Sequence, residues 1–261
     1  MFAALYGRFI EHGGAPDWDA DPYALFYRRS LAMGWLDDLE FHPRVGVAAE
    51  VRPGGAGLWS MNDAGFGEGG PSSDTWPALW FQIGVDPLPT ERPLPTQPFL
   101  RCAGDAASQL GVLDLQAVQV LLPLQVLGDA SDDLRLSTSL VTADWFSPRT
   151  DSHSLTSVRL TLEGGAAADL GTISVDDIVA DVNGCDQRIL TLTIGTDKLG
   201  PLIPPPFPDY FWGGPVSARV GLEGDLYDWS LDAIGWLAGF LGDICARRAI
   251  HSPLLLTVAR T

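Results

Sequence analysis

The chain has 261 residues, 46% of them hydrophobic and 19% charged, and its 33 acidic against 16 basic side chains give a formal net charge of −17. This composition excludes a disordered chain and fits one large or two small folded domains. The negative charge would repel nucleic acid and anionic membranes, so neither is an expected partner. All basic residues except Lys198 are arginine, a habit typical of GC-rich bacterial genomes, so we expect a bacterial source.

Cysteine usage and hydropathy bear on the compartment. Cys102, Cys185 and Cys245 are widely spaced and form no Cys-x-x-Cys pair, which indicates neither a zinc site nor a disulfide framework. The segment 1–10 lacks the positive region of a signal peptide, and the apolar stretch 231–244 is too short to span a bilayer. We expect a cytoplasmic protein that has no membrane association and needs no metal or other cofactor.

Local patterns predict the elements of the first third of the chain. The first forty residues are predicted to be largely helical, with a helix that begins at Asp21 and Pro22. A strand is predicted at 44–51. Residues 53–74 are rich in Gly, Ser, Asp and Asn and predict a long exposed loop. Alternating apolar residues predict a strand at 76–85.

The domain prediction depends on the proline-rich stretch 87–98, which contains five prolines. Such a stretch does not pair within a sheet, so it is predicted to connect two parts of the chain. Residues 1–86 would form an N-terminal lobe or extra layer, and residues 99–261 a duplicated α+β region. The alternative is one compact domain overall.

The middle of the chain is predicted to be β structure. The apolar run 117–127 predicts a strand buried on both faces, with a bulge or sheet edge at Pro123. The polar turn 128–133 leads into 134–141, where Leu134, Leu136 and Leu140 are assigned to one face. Together these segments predict a hairpin.

Two stretches of the C-terminal part resemble two copies of one sequence unit. In each stretch a strand ending in Leu-Glu-Gly precedes a Ser-initiated helix and a second apolar strand. The first stretch has strands at 158–164 and 190–194 with a helix starting at Ser174, and the second has strands at 218–224 and 254–258 with a helix at 229–249. Strand, helix, strand is half of a ferredoxin-like sandwich. The predicted fold class is therefore α+β: an antiparallel sheet with helices on one face, partly built of duplicated ferredoxin-like β-α-β units, plus an N-terminal helical and strand extension.

The two helices of the repeat carry further signals. Ser174 with Asp177 resembles a capping box. Gly235, Gly239 and Gly242 lie close together on the second helix, which predicts a close approach to a neighbouring helix or sheet. A self-association face, and hence a homo-oligomer, is the alternative interpretation.

Motifs for chemistry are weak. The sequence contains no nucleophile elbow, Walker loop or dinucleotide fingerprint, and its four histidines show no metal-ligand spacing. His153, in a polar loop near aromatic residues, is the candidate general base. Trp145, Tyr210, Phe211 and Trp212 are the candidate ligand-binding residues, because aromatic side chains on proline-stiffened loops can wall an apolar pocket.

Two functions from different classes are compatible with these features. The first is binding, with or without cofactor-independent transformation, of an apolar or aromatic small molecule in bacterial specialised metabolism. The second is a non-catalytic interaction protein, such as an immunity, adaptor or assembly subunit, whose acidic surface engages a basic protein partner. The sequence favours the first narrowly.

Overall fold

The structure is a computed structural model that describes most of the chain. The described residues are 1–13, 21–37, 57–68, 76–128, 134–143, 145–146, 155–165, 174–185, 190–194 and 203–261.

Strands and helices alternate along the described residues in an α+β arrangement. The strands are β1 Phe2–Glu11, β2 Ser60–Phe66, β3 Leu79–Gly84, β4 Gly111–Leu122, β5 Thr156–Gly164, β6 Leu190–Ile194, β7 Ala218–Leu226 and β8 Leu254–Arg260. The α-helices are α1 Pro22–Ala32, α2 Thr96–Leu110, α3 Leu134–Ala143, α4 Val175–Gly184 and α5 Leu231–Arg247.

All eight strands belong to one sheet in the order β2-β3-β1-β4-β8-β5-β7-β6, and every neighbouring pair is antiparallel. The strands within residues 1–86 are therefore hydrogen-bonded into the same sheet as the rest. The domain boundaries near 87–98 remain a prediction.

The sheet consists of two halves with the same internal plan. Each half runs strand, helix, strand, strand, helix, strand along the chain. Numbered within itself, the first half has the spatial order 2-3-1-4 and the second half 4-1-3-2. The last strands of the two halves, β4 and β8, pair in the middle, where Val118 lies opposite Val258 and Leu121 opposite Leu255.

The two faces of the sheet are covered differently. Since side chains alternate along a strand, Ala3 and Leu5 point to one face and Phe2, Ala4 and Tyr6 to the other. Ala3 and Leu5 join a core that includes buried side chains of all five helices. Phe2, Ala4 and Tyr6 join a smaller cluster that, among the described residues, contains none from an α-helix. We call these the helix face and the helix-free face.

The predicted helical start of the chain is wrong for β1. This strand pairs with β3 on one edge and β4 on the other, and its N-terminal half is buried on both faces. Its residues from Phe2 to Leu5 are apolar on both faces, so the sequence shows no alternation to separate this strand from a helix. The helix predicted at Asp21 is confirmed, because the Asp21 carboxylate accepts a hydrogen bond from the Ala24 amide.

The predicted loop 53–74 is wrong over Ser60–Phe66, which forms β2 and pairs with β3. Its glycines and short polar side chains depress strand propensity, but the ladder with β3 overrides that local preference. The strand predicted at 44–51 lies outside the described residues.

The predicted hairpin strand 134–141 is wrong as well, because the segment is the helix α3. Leu136, Ser139 and Ala143 are buried at spacings of three and four, which is the helical period. Leu136 and Leu140 share a face in a helix as they do in a strand, so the leucines alone were ambiguous.

The strands predicted in the repeat are confirmed as β5 to β8, and its helices as α4 and α5. The predicted capping box at Ser174 is wrong, since that hydroxyl makes no cap hydrogen bond to the helix backbone and instead donates to Asp176. The predicted strand 117–127 is confirmed as far as Leu122, with Pro123 ending it.

The glycines of α5 bring it close to α2, as the helix-packing interpretation predicted. A Cβ on Gly235 would lie 2.6 Å from the Cα of Gln97, and one on Gly239 would lie 2.7 Å from Thr96 Oγ1. The first turn of α2 therefore occupies the space that side chains at these two positions would need.

Candidate functional site

An aromatic segment, residues 203–212, lies over the helix-free face, and we call it the aromatic cover. At its start, the Ile203 carbonyl accepts a hydrogen bond of 3.0 Å from Gln119 Nε2 on β4. Beyond its end, the Ser217 amide donates to the Gly164 carbonyl at the end of β5. The cover is thus attached to the sheet at both ends.

Ring packing holds the cover between these ends. Phe207 contacts Phe2 at 5.4 Å and Phe211 at 5.1 Å between ring centroids, and Trp212 contacts Phe207 at 5.7 Å. On the other side Phe2 stacks on Trp80 of β3. Edge-to-face and stacked pairs of this kind add stability beyond the apolar area they bury.

Trp212 is the last residue of the cover, and its side chain is buried in the cluster between the cover and the sheet. Its side chain is only 3% exposed, and it clusters with sheet residues such as Leu121 and Leu255. Its indole Nε1 has no hydrogen-bond partner among the described residues. A buried N–H without a partner costs free energy, so the apolar contacts of the ring have to outweigh that cost.

Tyr210, two residues earlier, points the opposite way and is 85% exposed. It lies in a single 3₁₀ turn, Asp209–Phe211, which is closed by a hydrogen bond from the Phe211 amide to the Pro208 carbonyl. The Gly214 amide also donates to the Asp209 carbonyl. The rings of Phe207, Phe211 and Trp212 pack toward the sheet, whereas Tyr210 faces solvent on the same short segment.

Beneath the cover, a row of buried polar side chains crosses the helix-free face. Tyr6 donates to Gln119 Oε1 at 2.6 Å, and Gln119 Nε2 donates to Thr257 Oγ1 at 3.2 Å. Thr257 pairs in register with Thr161 of β5, whose hydroxyl has no partner among the described residues. Burial raises the pKa of Tyr6, so it stays a neutral hydroxyl that can donate.

The row continues to a buried carboxylate on β5. Glu163 pairs with Arg219 of the neighbouring strand β7, while its Oε2 has no hydrogen-bond partner in the described part of the chain. Glu163 lies in register with Leu255, which belongs to the same buried cluster as Trp212. The helix-free face therefore combines aromatic rings with buried polar groups that use only part of their hydrogen-bonding capacity.

The helix face has a different polar element, a buried ion pair between α3 and α5. Arg135 Nε lies 3.8 Å from Asp243 Oδ1, and Ser139 donates to Asp243 Oδ2 at 3.1 Å. Burial raises the pKa of Asp243 to about 6, while Ser139 and then Arg135 and Arg247 oppose that rise. The distance between Arg135 and Asp243 is too long, and their surroundings too desolvated, for the ion pair to keep the Asp243 carboxylate fully ionised at mildly acidic pH.

The structure brings together only some of the predicted site residues. Tyr210, Phe211 and Trp212 lie in the cover on the helix-free face. Trp145, which is 73% exposed, lies two residues after the end of α3, and its neighbour Phe146 packs against Trp236 of α5 on the helix face. Trp145 is thus on the other side of the sheet from Trp212, and His153 lies outside the described residues.

The thiols are unsuited to nucleophilic work. Burial raises the pKa of Cys102 to about 11 and that of Cys245 to about 12, so both are protonated at neutral pH. Cys185 is partly buried and its pKa is also raised, mainly by burial. Within the described ranges, no three His, Cys, Asp or Glu side chains come close enough together to hold a metal ion.

Sequence reasoning missed the polar row and the anchors of the cover. Gln119 is a polar residue inside an apolar run of a central strand, where a side chain has to find a partner. That signal could have identified it. The contact between Phe2 and Phe207 joins residues far apart in sequence, and no local pattern indicates it.

No family model, curated protein or solved structure matches the chain. None of the helices in the described residues combines the length and apolar character needed to cross a membrane. The function is therefore inferred from the geometry of the chain's own residues.

Proposed function

We propose that this protein is a non-catalytic interaction protein that binds a basic protein partner, with Tyr210 as an aromatic anchor. The observation that carries the proposal is the contrast within the aromatic cover, where Trp212 is 3% and Tyr210 85% exposed. A tyrosine held on a fixed backbone offers a large contact area and loses little conformational entropy on binding. Tyrosine is also one of the residues enriched among the strongest contributors to protein interfaces.

Charge supports a partner of opposite sign. The net charge of −17 gives the protein a negative field, which speeds encounter with a basic partner and disfavours acidic ones. Locally, Asp209 is exposed beside Tyr210 and can face a lysine or arginine of the partner at the rim of the contact.

The test is a capture experiment with the tagged protein and lysate of its source. We expect a basic protein to be retained at about 50 mM salt and released at about 500 mM, because screening weakens exposed charge pairs. The variant Tyr210→Ser should retain much less of that protein, with an unchanged thermal unfolding midpoint.

The control variant is Val141→Ser, which removes a 75% exposed apolar side chain from α3 on the helix face. It should capture the partner as the parent protein does. Equal capture by Tyr210→Ser and the parent, or retention of only acidic proteins, would overturn the proposal.

Binding of a small apolar or aromatic molecule is the second candidate, and a cleft on the helix face favours it. The cleft has a volume of about 200 Å³ and is lined by residues that include Leu94, Thr142 and Trp236. An aromatic wall with a few hydroxyls suits a small ring compound. None of the predicted ligand-binding residues lines this cleft.

Native mass spectrometry of protein purified from its source tests the second candidate. A discrete mass excess that disappears in Thr142→Trp but persists in Val141→Trp would establish a ligand in the cleft. A bare mass for the parent protein, or an excess retained by Thr142→Trp, would exclude a resident ligand at this place.

We also infer that each half of the sheet is a ferredoxin-like unit and that the two arose by duplication. The shared plan of six elements and the mirrored strand orders support this inference. The unit would then start at β1, in contrast to a duplicated region that starts at residue 99. Native-state hydrogen exchange distinguishes these divisions, because 2–122 and 156–260 would open as separate cooperative units only under the first.

A further inference from the structure

The cleft of the second candidate function lies on the helix face, and its residues favour one kind of ligand. Its described lining comes mainly from the segment 92–98, which ends in the first turn of α2, and from α3 and α5. The volume of the cleft is about 200 Å³. A cavity of about 150 Å³ is enough to bind benzene, so this one has room for a single aromatic ring with a small substituent.

One wall of the cleft is an aromatic side chain in a fixed position. Trp236 of α5 lines the cleft and donates from its indole Nε1 to the Ser139 carbonyl at 2.7 Å. Its ring stacks on Phe240 with ring centroids 4.9 Å apart. Leu94 and three prolines of the segment 92–98 add apolar surface. Because the indole is already ordered, a ring that packs against it requires little additional loss of side-chain entropy.

The only charged residue in the described lining is Arg92. It is exposed, and its guanidinium has no ion-pair partner among the described residues. A guanidinium matches the planar geometry of a carboxylate and can donate two parallel hydrogen bonds to it. An unpaired arginine beside an apolar cleft therefore favours a ligand that carries a carboxylate.

The start of α2 adds partial positive charge to the same cleft. Thr96 and Gln97 line the cleft and are the first two residues of this 15-residue helix. The Phe99 amide donates to the Pro95 carbonyl, and Pro95 provides no side-chain cap hydrogen bond. The amides of Thr96 and Gln97 precede this bond, and amides at the start of a helix attract anions. This end of α2 therefore favours a carboxylate as well.

Carboxylates next to the lining are already paired with arginines. Asp243 and Asp232 each hydrogen-bond to a lining residue. Arg135 Nε lies 3.8 Å from Asp243 Oδ1, and Arg101 lies 3.4 Å from Asp232 Oδ2. Charges elsewhere on this acidic protein are largely screened beyond about 10 Å at about 0.1 M salt. Arg92 therefore remains the dominant charge for a ligand in the cleft.

We propose that this cleft binds a small aromatic carboxylate. The ring packs against Trp236, and the carboxylate pairs with Arg92 and accepts hydrogen bonds at the start of α2. This inference rests on the second candidate function for the presence of a ligand, and it adds the charge and the chemical class of that ligand. It does not involve Tyr210.

The test compares benzoate, benzamide, benzylamine and acetate in NMR titrations of the protein at neutral pH and low salt. We expect benzoate to bind about tenfold more tightly than benzamide, because an ion pair and a helix terminus each contribute modestly. Benzylamine and acetate should show no measurable binding. Absence of benzoate binding, or equal binding of benzamide or benzylamine, would overturn the proposal. Equal binding of acetate would mean that the ring contributes nothing, and would overturn it as well.

A charge variant tests the role of Arg92. Arg92→Gln should weaken benzoate binding about threefold to fivefold, as expected for a partly exposed ion pair, and leave benzamide binding unchanged. The matched control is Arg8→Gln, since Arg8 is an exposed arginine of β1 outside the described lining. It should bind both compounds as the parent protein does. Equal benzoate affinities for the two variants would exclude Arg92 from the site and contradict the proposal.

A steric variant tests the location. Thr142 is exposed on α3 and lines the cleft, so Thr142→Trp should fill it with an unchanged thermal unfolding midpoint. We expect benzoate to bind this variant at least about tenfold more weakly than the parent. Val141→Trp, on the same helix but outside the described lining, should bind benzoate like the parent. If the two variants bind benzoate equally, the cleft is not the site.

The outcome for the ligand class is separable from that for the proposed functions. Tyr210→Ser should bind benzoate as the parent does, and benzoate binding through Arg92 would stand even if no basic partner were captured. A resident neutral ring compound in the native mass spectrum, with benzoate bound no better than benzamide, would support the second candidate function and overturn this inference. A bare native mass together with Arg92-dependent benzoate binding would exclude a resident ligand and support this inference.

Discussion

The two faces of the sheet are built by different means. On the helix face, five helices bury aliphatic and aromatic side chains, and the ion pair of Arg135 and Asp243 lies between α3 and α5. On the helix-free face, a cover without α-helix packs three rings over a row of hydrogen-bonded polar side chains. The same strands support both, because alternation assigns successive residues to opposite faces.

The two faces therefore differ in role: the helix face mainly stabilises the fold, and the cover exposes an aromatic side chain to solvent. Regular helices supply buried area efficiently, and in the described part of the chain most buried apolar residues belong to the helix-face cluster. The cover is short and buries less apolar area. Within three residues, however, it places the Tyr210 ring in solvent and the Trp212 ring in the buried cluster. The comparison predicts larger losses of stability from changes on the helix face than on the helix-free face.

The largest effect is expected for Phe240→Ala on α5. Phe240 is fully buried and stacks on Trp236 with ring centroids 4.9 Å apart. Removing such a ring leaves a cavity and should lower the free energy of unfolding by about 3 to 5 kcal/mol, measured by urea denaturation. A loss below about 1 kcal/mol would contradict its place in a close-packed core.

The next effect concerns the pH dependence of the helix face. Because burial raises the pKa of Asp243 from 3.8 to about 6, the folded state keeps this proton to higher pH than the unfolded state. The associated stability is fully present below pH 3.8 and is lost as the pH rises through 6, by at most about 3 kcal/mol.

Urea denaturation between pH 4 and 7 measures this loss as the difference between the parent and Asp243→Asn. Asp86→Asn, which removes an exposed carboxylate, serves as the control. Parallel pH profiles for the parent and Asp243→Asn would contradict the raised pKa of Asp243.

A smaller effect is expected for Trp212→Ala in the cover. The ring is buried, but the substitution also removes an indole N–H that has no partner among the described residues, which offsets part of the loss. We expect a decrease of about 2 to 3 kcal/mol, below that of Phe240→Ala. Trp212→Phe keeps most of the contacts and should lose less. A larger loss for Trp212→Ala than for Phe240→Ala would reverse the ranking of the two faces.

The smallest effect is expected for Tyr6→Phe in the polar row. It removes the hydrogen bond to Gln119 Oε1 and keeps the ring in the cluster under the cover. The expected loss is about 1 kcal/mol, measured by thermal and urea unfolding. The double variant Tyr6→Phe with Gln119→Leu should cost less than the sum of its two single changes, since both remove the same bond. Additive losses would mean that the two side chains are not coupled.

Local sequence patterns predicted the strands whose two faces differ in polarity and the helix whose cap lies within one turn. β3 and β6 alternate apolar and polar residues because the face toward the helices is the more buried one. β5 is buried on both faces, and it alternates because the side chains buried on its helix-free face, Thr161 and Glu163, are polar. The helix α1 was predictable from Asp21 and Pro22, since capping is a contact within one turn.

Local patterns failed for segments that are apolar on both faces and for segments whose stabilising partner is distant in the sequence. β1 is buried on both faces, and β2 is a strand only because β3 lies beside it. The strand prediction for α3 is wrong because its leucines fit both the strand and the helix period. Of the candidate site, the aromatic segment was identified, but not which of its rings would face solvent.

By itself, the sequence determined the α+β class, the strands of the C-terminal half and the close approach that the glycines of α5 permit, since each depends on neighbours within a few residues. Only the tertiary structure decided the order of the eight strands, the central pairing of β4 with β8, and the inward Trp212 beside the outward Tyr210. These features depend on contacts between residues far apart in the chain. Their free energy comes from burial against a surface that exists only once the sheet has formed.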